Sequence, residues 1–179
     1  MGKIMTFTGP RPVRLYGYND DANYAKLCEK IAEQITSYAN EGFDTFITGG
    51  AQGADQLIAQ AVESVKFSRP NIKSIIYVPM ENQSAPWSTY GRFGKTEYNA
   101  ILSMADEVRI LSPAPKDKHQ AIKLLRARNE KMLEDADELT VILPPNISKE
   151  QIAFMHKGGT ASCYRTALAA KMPVRFIQA

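Results

Sequence analysis

Short apolar runs alternate with longer amphipathic stretches along almost the whole chain. The runs fall at residues 4–8, 44–48, 72–78, 107–111, 138–143 and 174–177. Each is brief, largely apolar and bounded by Gly, Pro or polar residues, the pattern of parallel strands buried on both faces. The intervening stretches place apolar residues at helical spacing. Tyr24, Leu27, Cys28, Ile31, Ile35 and Tyr38 form one stripe, which Gly42 stops. Leu57, Ile58, Ala61, Val62 and Val65 form a second, and Tyr98, Ile101 and Leu102 a weaker third. Ile122, Leu125, Met132 and Leu133 mark a fourth, and Tyr164, Ala167 and Leu168 a fifth. Residues 67–71, 81–92, 112–117 and 146–156 read as loops, and the second and fourth are long enough to suggest function or mobility.

This alternation predicts an α/β fold of Rossmann-like, doubly wound type, a mainly parallel sheet with helices on both faces. The 179 residues suit a single domain spanning 1–179 with a core that needs no staples. The two cysteines, Cys28 and Cys163, lie far apart in helical contexts, which argues against a disulfide framework and for a reducing, cytoplasmic setting. Residues 3–8 read as a first strand and not as the apolar core of a secretion signal. No apolar run approaches the roughly 20 residues of a membrane span. The formal charge of +3 is too mild to argue for nucleic acid by itself, but it leaves room for an anionic small molecule.

In open parallel α/β sheets, ligands bind beyond the carboxyl ends of the strands. Small, polar and cyclic residues cluster there in this sequence. Thr8, Gly9, Pro10 and Arg11 follow the first strand, and Gly49, Gly50, Ala51, Gln52, Gly53 and Asp55 follow the second. Pro79, Met80, Glu81, Asn82 and Gln83 follow the third, and Lys157, Gly158, Gly159 and Thr160 come after the fifth. Glycines let a backbone approach a ligand, and helix N-termini offer free N–H groups and partial positive charge. The 49–53 and 158–160 turns therefore read as parts of an anion site, with Arg11, Thr160 and Ser162 as contacts, or else as tight strand–helix connections. Asp55 suits either a helix cap or a ribose contact. Glu81, Asn82 and Gln83 suit ribose hydroxyls or a base edge. Trp87, near Tyr90 and Phe93, either packs in the core or stacks on a base. Arg128 and Asn129 lie on a solvated helix face, with Glu134 or Asp135 in reach of Arg128, or else turn toward the ligand.

Several familiar motifs fail. Read from Gly49, the dinucleotide fingerprint meets Ala51 and Ala54 at later positions. Gly94-Lys95-Thr96 looks like the end of a P-loop, but the glycine required five residues earlier is Thr89, so Lys95 reads as a solvated helix residue. His119 and His156 read as surface residues, and with two distant cysteines they make no usual zinc site. There is no G-x-S-x-G elbow.

Taken in order, Thr8-Gly9-Pro10-Arg11-Pro12, Thr48 through Asp55, Pro79 through Gln83 with Trp87, Arg128-Asn129 with Met132, Asp135-Ala136-Asp137 and Lys157-Gly158-Gly159-Thr160 form a recognisable series. In this the chain resembles the YpsA-like branch of the SLOG superfamily, which also holds DprA/Smf-type and Lonely Guy-type domains. The resemblance implies a Rossmann-like domain that binds a nucleotide-derived ligand, ADP-ribose or a cyclic form, with no required cofactor and no metal. It implies a sensor or a sequestering protein, of bacterial or phage-defence context, that often self-associates as a homo-oligomer. Lonely Guy enzymes cleave N-glycosidic bonds and carry a glutamate two to three residues after the glycine-glycine-threonine turn. Here those positions are Ser162 and Cys163, so the expectation leans away from an enzyme, with Glu81 and Asp55 as the remaining carboxylate candidates. The DprA likeness, through Gly9-Pro10-Arg11 and Gly53-Ala54-Asp55, keeps single-stranded DNA binding by Arg11, Arg92, Lys95 and Trp87 as a less favoured alternative.

Overall fold

The computed structural model describes residues 2–155 and 158–179. Six strands form one sheet: β1 (Lys3–Thr8), β2 (Phe43–Thr48), β3 (Lys73–Val78), β4 (Glu107–Ile110), β5 (Glu138–Leu143) and β6 (Val174–Gln178). Their order across the sheet is β4-β3-β2-β1-β5-β6, and every pairing is parallel. The chain thus winds outward from β1 through β2, β3 and β4, then returns to the other side of β1 for β5 and β6. The winding reverses at the β1/β5 boundary, where Thr8 lies beside Val141. The result is a Rossmann-like α/β fold.

Helices α1 (Asp21–Asn40), α2 (Ala54–Lys66) and α3 (Lys95–Met104) cover one face, and α4 (Lys118–Glu134), α5 (Lys149–Phe154) and α6 (Gly159–Ala169) the other. Strand alternation divides the core accordingly. Ile142 of β5 faces the α1/α2 cluster with Phe7 and Phe46. Its neighbours Val141 and Leu143 pack with Ala161, Cys163 and Tyr164 of α6. The central strands are buried from both sides because helices cover both faces, which is why their sequences read as nearly continuous apolar runs.

Three expectations change. The 146–156 segment is not all loop, because α5 lies within it. Its periodicity is too short to detect, but Ser148 and Gln151 form a capping box: Gln151 N donates to Ser148 Oγ, and Ser148 N to Gln151 Oε1 at 2.8 Å. Ser148→Ala is expected to destabilise α5 by about 1 kcal/mol, seen as faster amide exchange in α5 with no change elsewhere. The fourth strand is not buried. It is an exposed edge, with Val108 and Ile110 open to solvent. Finally, Ile122 and Leu125 of α4 join none of the described core clusters, although Met132 and Leu133 of the same helix do. Among the described residues no helix is long and apolar enough to cross a membrane. Cys28 and Cys163 are free thiols, and His119 is exposed.

Candidate functional site

A cavity of about 630 Å³ opens at the β1/β5 switch point, where α/β sheets of this kind hold ligands. The turn after β1 contributes Thr8, Gly9, Pro10 and Arg11, followed by Val13 and Arg14 of a short 3-10 turn, Pro12–Arg14. The start of α6 contributes Gly158, Gly159, Thr160, Ser162 and Cys163. One face of α4 contributes Ile122, Leu125, Arg126, Arg128 and Asn129. The turn after β2 contributes Ala51 and Asp55, not its glycines.

Two helix N-termini meet this region, and they differ. Helices α1, α4 and α5 are capped by the side chains of Asp20, Asp117 and Ser148. Glycines open α2 and α6, and among the described residues no side chain caps either one. At α2 the first N–H is already used, since Ala54 N donates to Pro10 O at 3.1 Å. Gly53 makes that closure feasible: its φ is +92°, and a Cβ there would sit 2.6 Å from Pro10 O. The α6 N-terminus instead lines the cavity, and N–H groups of a first helical turn have no intrahelical partner.

The charge at the centre is a buried pair. Arg128 Nη1 lies 3.4 Å from Asp55 Oδ2, with the two side chains 7% and 9% exposed. Asp55 Oδ2 also accepts from Ala51 N at 3.2 Å. Burial pushes the Asp55 carboxyl above its ordinary pKa, while Arg128 and then Arg11 pull it back. Gly49 exists for this contact, because a Cβ there would lie 1.2 Å from Arg128 Nη1. Arg128 Nε is buried and has no hydrogen-bond partner among the described residues. Arg11 is solvent-exposed as a whole residue, yet desolvation of its guanidinium lowers its pKa from the ordinary value; Asp55 opposes that shift and Arg128 adds to it. Arg14 reaches the α6 start, its Nη1 lying 2.9 Å from where a Cβ on Gly158 would be. Arg126 and Arg165 also line the cavity, with Arg165 Nη1 donating to Met155 O at 2.6 Å. Among the described residues the cavity wall thus carries five arginines against two carboxylates, Asp55 and Glu130.

The carboxylates matter for chemistry. Ser162 and Cys163, the positions at which the Lonely Guy resemblance implies a glutamate, line the cavity. Burial pushes the Cys163 thiol up to about 11, a shift that its hydrogen bond with Thr8 only partly offsets, which disfavours the thiolate.

Other expected site residues lie apart from this cavity. Pro79, Glu81, Asn82 and Gln83 follow β3, two strands away from β1. Glu81 and Asn82 are exposed, and Glu81 N donates to Ser112 O. Gln83 is buried and its Nε2 donates to Gly49 O and Tyr98 Oη, tying this loop to the 49–53 turn. Trp87 is half-buried, edge-on to Tyr98 with ring centroids 5.0 Å apart, and joins none of the described core clusters. Gln52 Nε2 donates to Phe93 O. Gly50 is buried against Ile76 and Tyr98. Arg128 sits on no solvated face, and its partner is Asp55, not Glu134 or Asp135. Lys157 and His156 lie outside the described residues. Arg14, Arg126 and Arg165 were not anticipated; only Arg14 carried a signal, as the next basic residue after the 8–12 turn.

An all-parallel Rossmann-like sheet with a cationic cavity at its switch point defines a class of proteins with ligand sites at the strand ends. Within that class, the YspA SLOG family model matches residues 5–172, and the chain belongs to this family. A UPF0398 protein of Shouchella clausii is 32% identical over 117 residues, covering 65% of this chain and 59% of the relative. UPF0398 proteins of Bacillus thuringiensis and Bacillus cereus are 23% identical over 141 residues, covering 78% of this chain and 73% of theirs. SLOG family membership suggests a nucleotide-related role.

Proposed function

We propose that the protein binds a nucleotide-derived anion, of the ADP-ribose or cyclic ADP-ribose type, in the β1/β5 cavity and holds it without cleaving it, as a sensor or a sequestering protein. The observation that carries this reading is Arg128: a permanently charged guanidinium, almost fully buried, lining the cavity with its Nε unpaired beside Arg11 and the uncapped start of α6. Guanidinium groups and free helix N–H groups are the donors that phosphate oxygens accept best. Arg11, Thr160 and Ser162 complete the phosphate contacts, and Asn129 faces the same space.

Titration calorimetry with ADP-ribose and ADP tests this. The expected dissociation constant is about 10 μM or tighter, weakened about tenfold or more by Arg11→Ala, which removes one charge-assisted contact from an exposed position. Absence of binding below millimolar concentration by folded protein would sink the reading. One observation favours a second reading, hydrolysis of an N-glycosidic bond: Asp55 lines the cavity with a raised pKa, the property of a proton donor. Chromatography after incubation with nucleoside monophosphates and NAD separates the two. Free base whose release is abolished by Asp55→Asn would favour the enzyme, and intact nucleotide favours the binder.

A further inference from the structure

We infer that the base of the bound nucleotide lies between Val13 and the Ile122–Leu125 face of α4, and not near Trp87. The inference rests on the anion-binding reading of the same cavity and specifies its other half. Val13 is 76% and Ile122 42% exposed, and both line the cavity. Leu125, one helical turn on from Ile122, lines it too. Neither Ile122 nor Leu125 joins a described core cluster. Among the described residues, Val13 and Ile122 therefore border the cavity largely uncovered, with Leu125 half-buried beside them.

Their position relative to the charge identifies the occupant. Ile122 precedes Arg128 by six residues on α4, about 9 Å along the helix axis. An anion at Arg128 and the α6 N-terminus leaves this apolar stretch of the same cavity open, less than two helical turns away along α4. A free phosphate would leave Val13 and Ile122 in water, whereas a nucleobase covers them with its planar faces, and burying that surface is favourable. Trp87, edge-on to Tyr98 and outside the cavity lining, has no part in this arrangement.

The test compares ADP with pyrophosphate by calorimetry. Val13→Ser/Ile122→Ser is expected to weaken ADP about tenfold while pyrophosphate changes by less than about twofold, because only the apolar contact is lost. Trp87→Phe is expected to leave both unchanged. A second variant reads position directly: Val13→Trp in a Trp87→Phe background should change its fluorescence on adding ADP and stay silent with pyrophosphate. If pyrophosphate binds but the double serine variant holds ADP as tightly as the parent, or the introduced indole ignores ADP, the base lies elsewhere and this inference alone falls. If the parent protein binds neither probe, the cavity is no anion site and both readings fall.

Discussion

Arg128→Ala is expected to lower the free energy of unfolding by about 3–5 kcal/mol at neutral pH, the range for removing one member of a buried ion pair. The loss comes mainly from what remains. Asp55, 9% exposed beside Arg128, keeps Ala51 N as a donor but loses the nearest cation. Urea unfolding measures the difference, and Asp55→Ala in the Arg128→Ala background should restore part of it, since a buried charge without a partner is then gone. The effect has a pH signature. Burial already raises the Asp55 pKa against the pull of Arg128, and removing Arg128 raises it further. A carboxyl whose folded pKa is raised contributes its stability below the ordinary value and loses it as pH climbs through the folded value. The deficit of Arg128→Ala should therefore be largest at neutral pH and shrink toward pH 4. A deficit that grew on acidification would contradict the pairing.

Gly49→Ala is expected to cost about 3 kcal/mol for a related reason. The added methyl would sit 1.2 Å from Arg128 Nη1, 2.2 Å from its Cζ and 2.8 Å from Asp55 Oδ2, so the guanidinium must leave its place. The coupling makes this testable against any general effect on the turn. In the Arg128→Ala background the two closest clashing atoms are absent and, of the three, only Asp55 Oδ2 remains, so Gly49→Ala should then cost about 1 kcal/mol, well below its cost in the parent. Additive losses would mean that the glycine serves the backbone and not the arginine.

Both predictions concern residues whose meaning changed between sequence and structure. Gly49 reads in the sequence as a place for close approach of a ligand, and in the fold it makes room for Arg128. Arg128 reads as a helix-surface residue beside Glu134 and Asp135, or as a ligand contact. Its partner proves to be Asp55, 73 positions away. Periodicity could not show this, because the pair joins the start of α2 to α4 across the carboxyl end of the sheet. Ile122 and Leu125 share the helical spacing of Met132 and Leu133, so their pattern promised core. In the fold these two side chains line the cavity instead, while Met132 and Leu133 pack in core clusters. The short helix α5 was hidden because six residues carry too little periodicity.

What the sequence determined by itself was local and repetitive. Apolar runs of strand length, amphipathic stretches between them and glycine turns at strand ends follow from local preferences and burial, and they led directly to the strands and the covered sheet, while the ordered motif series carried the resemblance to the family. The tertiary structure alone decided which strand ends meet. The order β4-β3-β2-β1-β5-β6 brings the turns after β1 and β5 together and leaves the Pro79–Gln83 segment two strands away. Strand order is a long-range choice, made by packing of distant helices on the two faces, and no local spacing encodes it. The five arginines of the cavity come from the turn after β1, from α4 and from α6. Their convergence is a property of the folded sheet, and it turns a mildly basic chain into one with a concentrated positive site.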